Sequence, residues 1–275
     1  MAVTKQVNND TVMVQSASQL MDDTPIPEFI LLAGKDSTGK SSALVSLLWY
    51  LQQISPDVTG YVIDTENKFR SAVKSFGTDA PSNFLYYKCD TMNHVTYATA
   101  EIIKNHKPGD WVLCESLSRI WERAQDLAYN AIEGVDKVEY MERRGRKGSP
   151  IPQPDKFWNI AKGAHDGAFF DLLTQSTDLN CIFTAPLAKP QKEGFIKENV
   201  DRKALRVELG IDANIEGAPR TPYYVQSLCL LELKAGEVTC RVLRDNNSVL
   251  DNARVEFPVP DKKSWALSFW STCRG

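Results

Sequence analysis

Gly34-Lys35-Asp36-Ser37-Thr38-Gly39-Lys40-Ser41 fits the spacing G-x-x-x-x-G-K-[ST] at every fixed position. Chemistry explains the pattern. A loop that curls around a phosphate presents successive backbone N–H groups to it, and the helix that follows adds its positive N-terminus. Glycines permit the curl and the close approach of the backbone. A lysine then reaches the β- and γ-phosphates as a point charge, and a hydroxyl ligates Mg²⁺. These roles fall to Lys40 and Ser41, within a nucleotide-binding set of Gly34, Lys35, Asp36, Ser37, Thr38, Gly39, Lys40, Ser41 and Ser42. An apolar run precedes the loop and a long amphipathic pattern follows it, so the guest expected is ATP with Mg²⁺.

Such a loop needs a second carboxylate for the metal, at the end of a neighbouring parallel strand. GDWVLCESLSRIW (109–121) ends an apolar run in Glu115, the expected metal residue. A helix N-terminal acid favoured by the dipole is the alternative reading. GYVIDTENKFR (60–70) ends its run in Asp64-Thr65-Glu66. A carboxylate there could orient and deprotonate an attacking water, and Glu66 is the better placed of the two. Asp64 could instead stabilise the strand end, and the whole triplet could be a helix cap with a first-turn acid.

The elements that must position these groups alternate. Apolar runs at 29–33, 61–63, 84–87, 111–114 and 181–183 read as strands buried on both faces. Helical patterns lie between them near 40–54, 67–76, 93–105, 117–133 and 157–175. This predicts an α/β fold with a mainly parallel central sheet flanked by helices. YYVQSLCLLELKAGEVTCRVLRDNN (223–247) reads as a C-terminal antiparallel hairpin turning at Ala235-Gly236 and extending the sheet. Residues 1–24 read as a flexible segment and 25–275 as one ATPase domain. Two stretches without periodicity, 134–156 and 186–222, are expected to be mobile site loops. The SWALSFW tail (264–270) is expected to cap the core as a helix or strand.

A P-loop followed by YVIDTE and then WVLCESLSRIW resembles the RecA-like ATPases. The resemblance covers roughly residues 28–260 and is greatest to compact phage RecA-like proteins of the single-strand-annealing type. It implies a RecA-like P-loop core in which Glu66 is the catalytic glutamate and Glu115 stands where those proteins usually carry Asp. TCRVLRDNNSVLDNARVEFPV (239–259) is similar to the late strand of RecA, which would place Arg244 where a lysine reaches the neighbouring subunit's ATP. Arg220 is the reserve for that role. Two departures bear against tight coupling of hydrolysis to DNA: Thr184-Ala185-Pro186 ends its strand without a polar amide or imidazole, and Asn246 stands where RecA has a second lysine.

In the RecA-like arrangement two loops on the carboxyl side of the sheet hold DNA, which maps here to the two aperiodic stretches. The first carries Arg143, Arg144, Arg146 and Lys147, a cluster able to neutralise several phosphates. The second carries Lys189, Lys192, Lys197, Arg202, Lys203 and Arg206, offset by Glu193, Glu198 and Asp201, with Phe195 as its one aromatic. Either run could also be a solvated loop or face an acidic subunit. Single-stranded DNA and a homo-oligomer with ATP at its interfaces are the expected partners.

Thirty-two basic against thirty-five acidic residues give a net charge of −3, so any nucleic-acid contact must come from local patches. No window is apolar for long enough to span a membrane and no signal core is visible, so a cytoplasmic location is expected. Six scattered cysteines without a CxxC pair read as buried reduced thiols. His94, His106 and His165 show no catalytic spacing, and Trp121, Phe157, Trp158, Phe169 and Phe170 recur at core-packing intervals. The activity expected is Mg²⁺-dependent ATP hydrolysis acting on DNA in phage-type recombination or replication. Two rivals use the same site: a DNA-translocating packaging or helicase-type motor, and a nucleotide-gated scaffold with slow hydrolysis. A small-molecule kinase fits less well, because the acidic strand end suits water activation.

Overall fold

The structure is a computed structural model that describes residues 3–7, 10–14, 26–144, 151–176, 178–189, 200–246 and 255–274. Two runs rich in Val and Thr, β1 (Val3–Val7) and β2 (Asp10–Val14), pair as an antiparallel ribbon with Val3 opposite Val14. The segment read as a flexible lead-in therefore holds paired strands, because β-branched residues favour extended backbone despite the polar neighbours.

The central sheet begins at β3 (Phe29–Gly34), which is buried throughout. Then come α1 (Lys40–Ile54), β4 (Gly60–Asp64), α2 (Phe69–Phe76), β5 (Phe84–Lys88), α3 (Met92–Asn105), β6 (Trp111–Glu115) and α4 (Leu117–Glu133). The chain continues through α5 (Lys137–Arg144), α6 (Pro154–Lys162), a π-helical stretch Gly163–Phe170, α7 (Asp171–Thr174) and β7 (Asn180–Ala188). It ends with α8 (Val200–Leu209), β8 (Asn214–Ile215), α9 (Thr221–Tyr224), β9 (Ser227–Lys234), β10 (Glu237–Asp245), β11 (Glu256–Pro258) and α10 (Ser264–Cys273).

The strand order is β11-β10-β9-β3-β7-β6-β4-β5, with β8 paired to β7. From β9 to β5 all neighbours run parallel, and β10 and β11 add antiparallel strands at one side. This is the α/β architecture that strand–helix alternation predicted, with the C-terminal hairpin extending the sheet. Ala235 and Gly236 turn that hairpin at φ 50° and 90°.

Successive residues of each strand face opposite layers. Ile30, Leu32, Val62 and Leu113 pack against α1, α2 and α10, whereas Leu31, Ala33, Ile63 and Cys114 pack against α3, α4 and α6. Each of the fully buried Leu44, Leu47 and Leu48 on α1 contributes about 1.5–3 kcal/mol by leaving water. The tail forms α10, whose buried Trp265 and Phe269 lie one turn apart. It docks on α1 through Ser46, whose hydroxyl donates to the Lys263 carbonyl at 2.7 Å and accepts the Ala266 N–H at 3.1 Å. On the other layer the expected aromatic packing is present: Trp121 stacks on Trp158 with ring centroids 6.1 Å apart, and Phe157, Phe169 and Phe170 are buried. All six cysteines are buried. Among the described residues, no helix is long and apolar enough to cross a membrane.

Three further expectations need correction. The run at 84–87 is not buried on both faces: β5 pairs only with β4 among the described strands, and Leu85 is 52% exposed at that edge. The stretch 134–156 is in good part helical, because Tyr140 of α5 packs on Tyr129 at 5.2 Å and Glu139 pairs with Arg143 one turn on. The stretch 186–222 holds the end of β7, then α8, β8 and α9; Leu205 and Leu209, four apart and buried, are the apolar stripe of α8. Residues 145–150 and 190–199 lie outside the described residues.

Candidate active site

Parallel pairing brings the carboxyl ends of the strands to one edge. Gly34 lies opposite Pro186, and Asp64 opposite Glu115. Crevices outside the carboxyl ends of such strands are where open α/β sheets bind ligands.

The loop from Gly34 to Lys40 is closed by its own side chains. Lys40 Nζ donates to the carbonyls of Gly34 and Lys35 at 2.9 and 2.8 Å, and the Thr38 hydroxyl donates to the Lys35 carbonyl at 2.8 Å. A Cβ on Gly34 would lie 2.5 Å from Thr38 Oγ1 and 2.9 Å from the Leu231 carbonyl, so no larger residue fits. Gly39 sits at φ 89° where the loop enters α1. No side chain caps α1, and its first turn holds no acidic residue. Its leading N–H groups therefore remain for an external anion. Burial holds the Lys40 ammonium below its ordinary pKa, against the pull of Glu115, Asp36 and Glu66.

Glu115 ends β6, is 2% exposed, and carries one buried oxygen, Oε2, with no hydrogen-bond partner among the described residues. Its carboxyl is pushed up to about 7 by burial; the Glu66 and Asp64 charges add to the shift, and a hydrogen bond with Ser41 and the Lys40 charge oppose it. An orphaned carboxylate oxygen beside a hydroxyl is a donor set that fits a divalent cation. Ser41 and Glu115, the two residues expected to hold a metal, are brought together by a hydrogen bond.

The end of β4 is fixed by two devices. Asp64, fully buried, accepts the N–H groups of Glu66 and Asn67 through Oδ1 at 2.9 and 2.8 Å. Through Oδ2 it accepts the Phe69 N–H at 3.2 Å and the Tyr86 hydroxyl at 3.0 Å, which leaves it a structural role at the strand end. Thr65 is stapled to the end of β6, with its N–H and hydroxyl both reaching the Glu115 carbonyl. Glu66 consequently sits beside Ser116, whose hydroxyl donates to Glu66 Oε1 at 3.3 Å. Arg119 Nε lies 3.4 Å from the same oxygen, and Lys68 pairs with Oε2. The hydrogen bond to Glu66 raises Lys68 above its ordinary pKa.

Two adjoining cavities follow. One of about 630 Å³ is lined by the loop and by Ser41, Ser42, Asn67, Lys68 and Ser71. The other, about 180 Å³, is lined by Glu66, Ser116, Arg119, Glu122, Pro186 and Glu216. Asp36, Lys40, Lys68 and Glu115 line both. The sequence reading missed Lys68, Arg119, Glu122 and Glu216. Arg119 had one available signal, a cation in the first turn of the helix that leaves the Glu115 strand.

Other candidates lie elsewhere. The Arg244 guanidinium is bonded to the carbonyls of Pro222 and Val225 and lines neither cavity. Arg143 pairs with Glu139 at the end of α5. Arg144 closes that helix, and Arg146 and Lys147 fall outside the described residues. His106 contacts Asp178 at 3.0 Å and His165 contacts Asp166 at 2.7 Å, both remote from the loop.

No family model matches the chain, and no curated protein matches it. Solved structures do match; one of them, described as an ATPase domain, has a TM-score of 0.48 and 11% sequence identity, covering 86% of this chain and 82% of that chain.

Proposed function

We propose that the protein is a RecA-like ATPase that binds ATP with Mg²⁺ and hydrolyses it in the service of a DNA transaction. The observation that carries this reading is the placement of Glu66 and Glu115 side by side across from the Gly34–Ser41 loop, on cavities that share Lys40. The loop N–H groups and Lys40 would hold the phosphates, and Ser41 with Glu115 would hold the metal. Bound Mg²⁺ would supply charge neutralisation at the phosphates. Glu66 would orient a water in the smaller cavity and take its proton. Arg244 on a neighbouring subunit would complete the site in an oligomer.

The DNA reading rests on the basic run from Arg143 to Lys147, and single-stranded DNA in phage-type recombination or replication is the favoured setting, in the cytoplasm. The engagement of both Glu66 oxygens by neighbours favours slow resting turnover, which a nucleotide-gated scaffold would also show.

Steady-state ATP hydrolysis with Mg²⁺ separates these, measured without nucleic acid and with single-stranded or duplex DNA at two salt concentrations. Stimulation by single strands that fades with salt supports the recombination-type reading. Stimulation that grows with duplex length supports the motor. A flat slow rate with intact ATP binding supports the scaffold.

A further inference from the structure

Both oxygens of Glu66 are engaged by neighbouring donors. Oε1 accepts from Ser116 Oγ at 3.3 Å and faces Arg119 Nε at 3.4 Å, while Oε2 is paired with Lys68. A general base must turn an oxygen to a water proton at hydrogen-bond distance, so donors held on both oxygens compete with that water for the carboxylate.

The two cations differ in what ATP could do to them. Lys68 is two residues from Glu66 in the same turn and lines the larger cavity as well, so arriving phosphates can draw its ammonium away. Arg119 belongs to another element, α4, and lines only the smaller cavity. Its second arm is anchored one helical turn on, with NH1 2.6 Å from Glu122 Oε2. Glu122 therefore keeps the guanidinium at hand, and the longer Arg119–Glu66 contact is the weaker of its two bonds. The side chain is 52% exposed, so it can swing outward without crossing the core.

We propose that Arg119 is a positioning residue that restrains Glu66 in an ion-paired resting state, so that hydrolysis by the isolated protein is held below what the site can support. This rests on the reading of Glu66 as the base. Nucleotide relieves the Lys68 contact, and the Arg119 contact remains until the first turn of α4 or its side chain moves.

The test compares ATP hydrolysis by the wild type, Arg119→Ala, Arg119→Lys, Glu66→Gln and the Arg119→Ala/Glu66→Gln double variant, without DNA. ATP binding is measured separately for each. The expected result for Arg119→Ala is a kcat about five-fold higher with KM unchanged, a difference of about 1 kcal/mol at 1.36 kcal/mol per tenfold. Arg119→Lys keeps the cation and returns the rate toward the wild-type level, and the double variant is inactive while still binding ATP. A lower or unchanged kcat in Arg119→Ala overturns the proposal, as does a raised KM, which would make Arg119 a substrate contact. Full activity of Glu66→Gln sinks the reading of the base instead, whatever Arg119 does. Absence of turnover in all five proteins, with ATP bound, overturns both.

Discussion

The Thr65 backbone N–H donates to the Glu115 carbonyl at 2.6 Å, and the Thr65 hydroxyl donates to the same oxygen at 2.9 Å. The hydroxyl also accepts the Ser116 N–H at 3.1 Å. The two strand ends that carry Glu66 and Glu115 are thereby locked in register just where their side chains enter the cavities. Thr65→Val keeps the shape and removes both hydroxyl bonds inside a buried site. The expected loss is about 1–3 kcal/mol of stability. A several-fold lower kcat should accompany it, because the spacing of the two carboxylates loosens. Thermal unfolding and steady-state kinetics on one preparation check both parts.

Asp64 and Glu66 are two residues apart and should separate cleanly. Asp64→Ala removes the acceptor of four hydrogen bonds, three of them from backbone N–H groups, and is expected to destabilise the chain by about 3 kcal/mol. Glu66→Gln should leave the thermal midpoint close to wild type and abolish turnover, with ATP binding intact. If Asp64→Ala folded normally and Glu66→Gln did not, the division of labour at this strand end would be reversed.

Glu115 is expected to weaken the nucleotide-free fold. Its carboxyl is pushed up to about 7, so the charged form is disfavoured on folding; the group's contribution is most favourable below about pH 4.5 and is lost as pH rises toward 7. Glu115→Gln should therefore raise the thermal midpoint of the apoprotein near pH 8 and not near pH 5. It should at the same time remove the extra stabilisation that Mg²⁺ with ATP is expected to give the wild type. A midpoint that fell at both pH values would show that the Glu115 charge is already compensated within the chain.

How much of this was legible in the sequence follows from the range of each interaction. β3, its loop and α1 form one contiguous unit, so the apolar run, the glycine spacing and the helical period all lie in adjacent residues. The hairpin at Ala235-Gly236 was local for the same reason. The edge position of β5 was not legible, because FLYYK reads as apolar whether one neighbour strand or two are present. α5 and α8 were hidden because few of their apolar residues pack inward, Tyr140 in one and Leu205 and Leu209 in the other, while Val138, Met141 and Val207 are exposed among charges. The Arg119–Glu66 pair joins residues of different elements, and only the β4–β6 pairing brings them together.

The His106–Asp178 pair sets a pH dependence away from the site. Burial works against a charged His106, but the Asp178 carboxylate and the Ile102 and Ile103 carbonyls outweigh it and raise its pKa; the His106 bond holds Asp178 low. A raised histidine contributes stability that is fully present below its unfolded value of about 6.5 and is lost as pH climbs through the folded value. The lowered aspartate contributes above its own unfolded value of about 3.9 and is lost as pH falls. Thermal midpoints of the wild type should therefore drop between about pH 6 and about pH 8 by more than those of His106→Gln. Parallel curves would mean that the pair is too exposed to matter.

Arg274 fastens the end of α10 to the start of the sheet. Its Nε and NH2 lie 2.7 and 2.8 Å from the two oxygens of Glu28, and NH1 lies 2.6 Å from Asp245 Oδ2. Its guanidinium also sits 5.1 Å from the Phe269 ring centroid. The Asp245 side chain is 5% exposed, so removing the arginine leaves a buried carboxylate without its main cation. Arg274→Ala is expected to cost about 3 kcal/mol. Arg274→Lys should recover only part of this, because an ammonium cannot meet both Glu28 oxygens and Asp245 in one plane. Since β3 runs from Glu28 directly into the Gly34–Ser41 loop, the same variant should weaken ATP binding. Denaturant unfolding with and without nucleotide tests both effects together; an Arg274→Ala protein as stable as wild type would show that the Ser46 bonds and the apolar face of α10 hold it without the arginine.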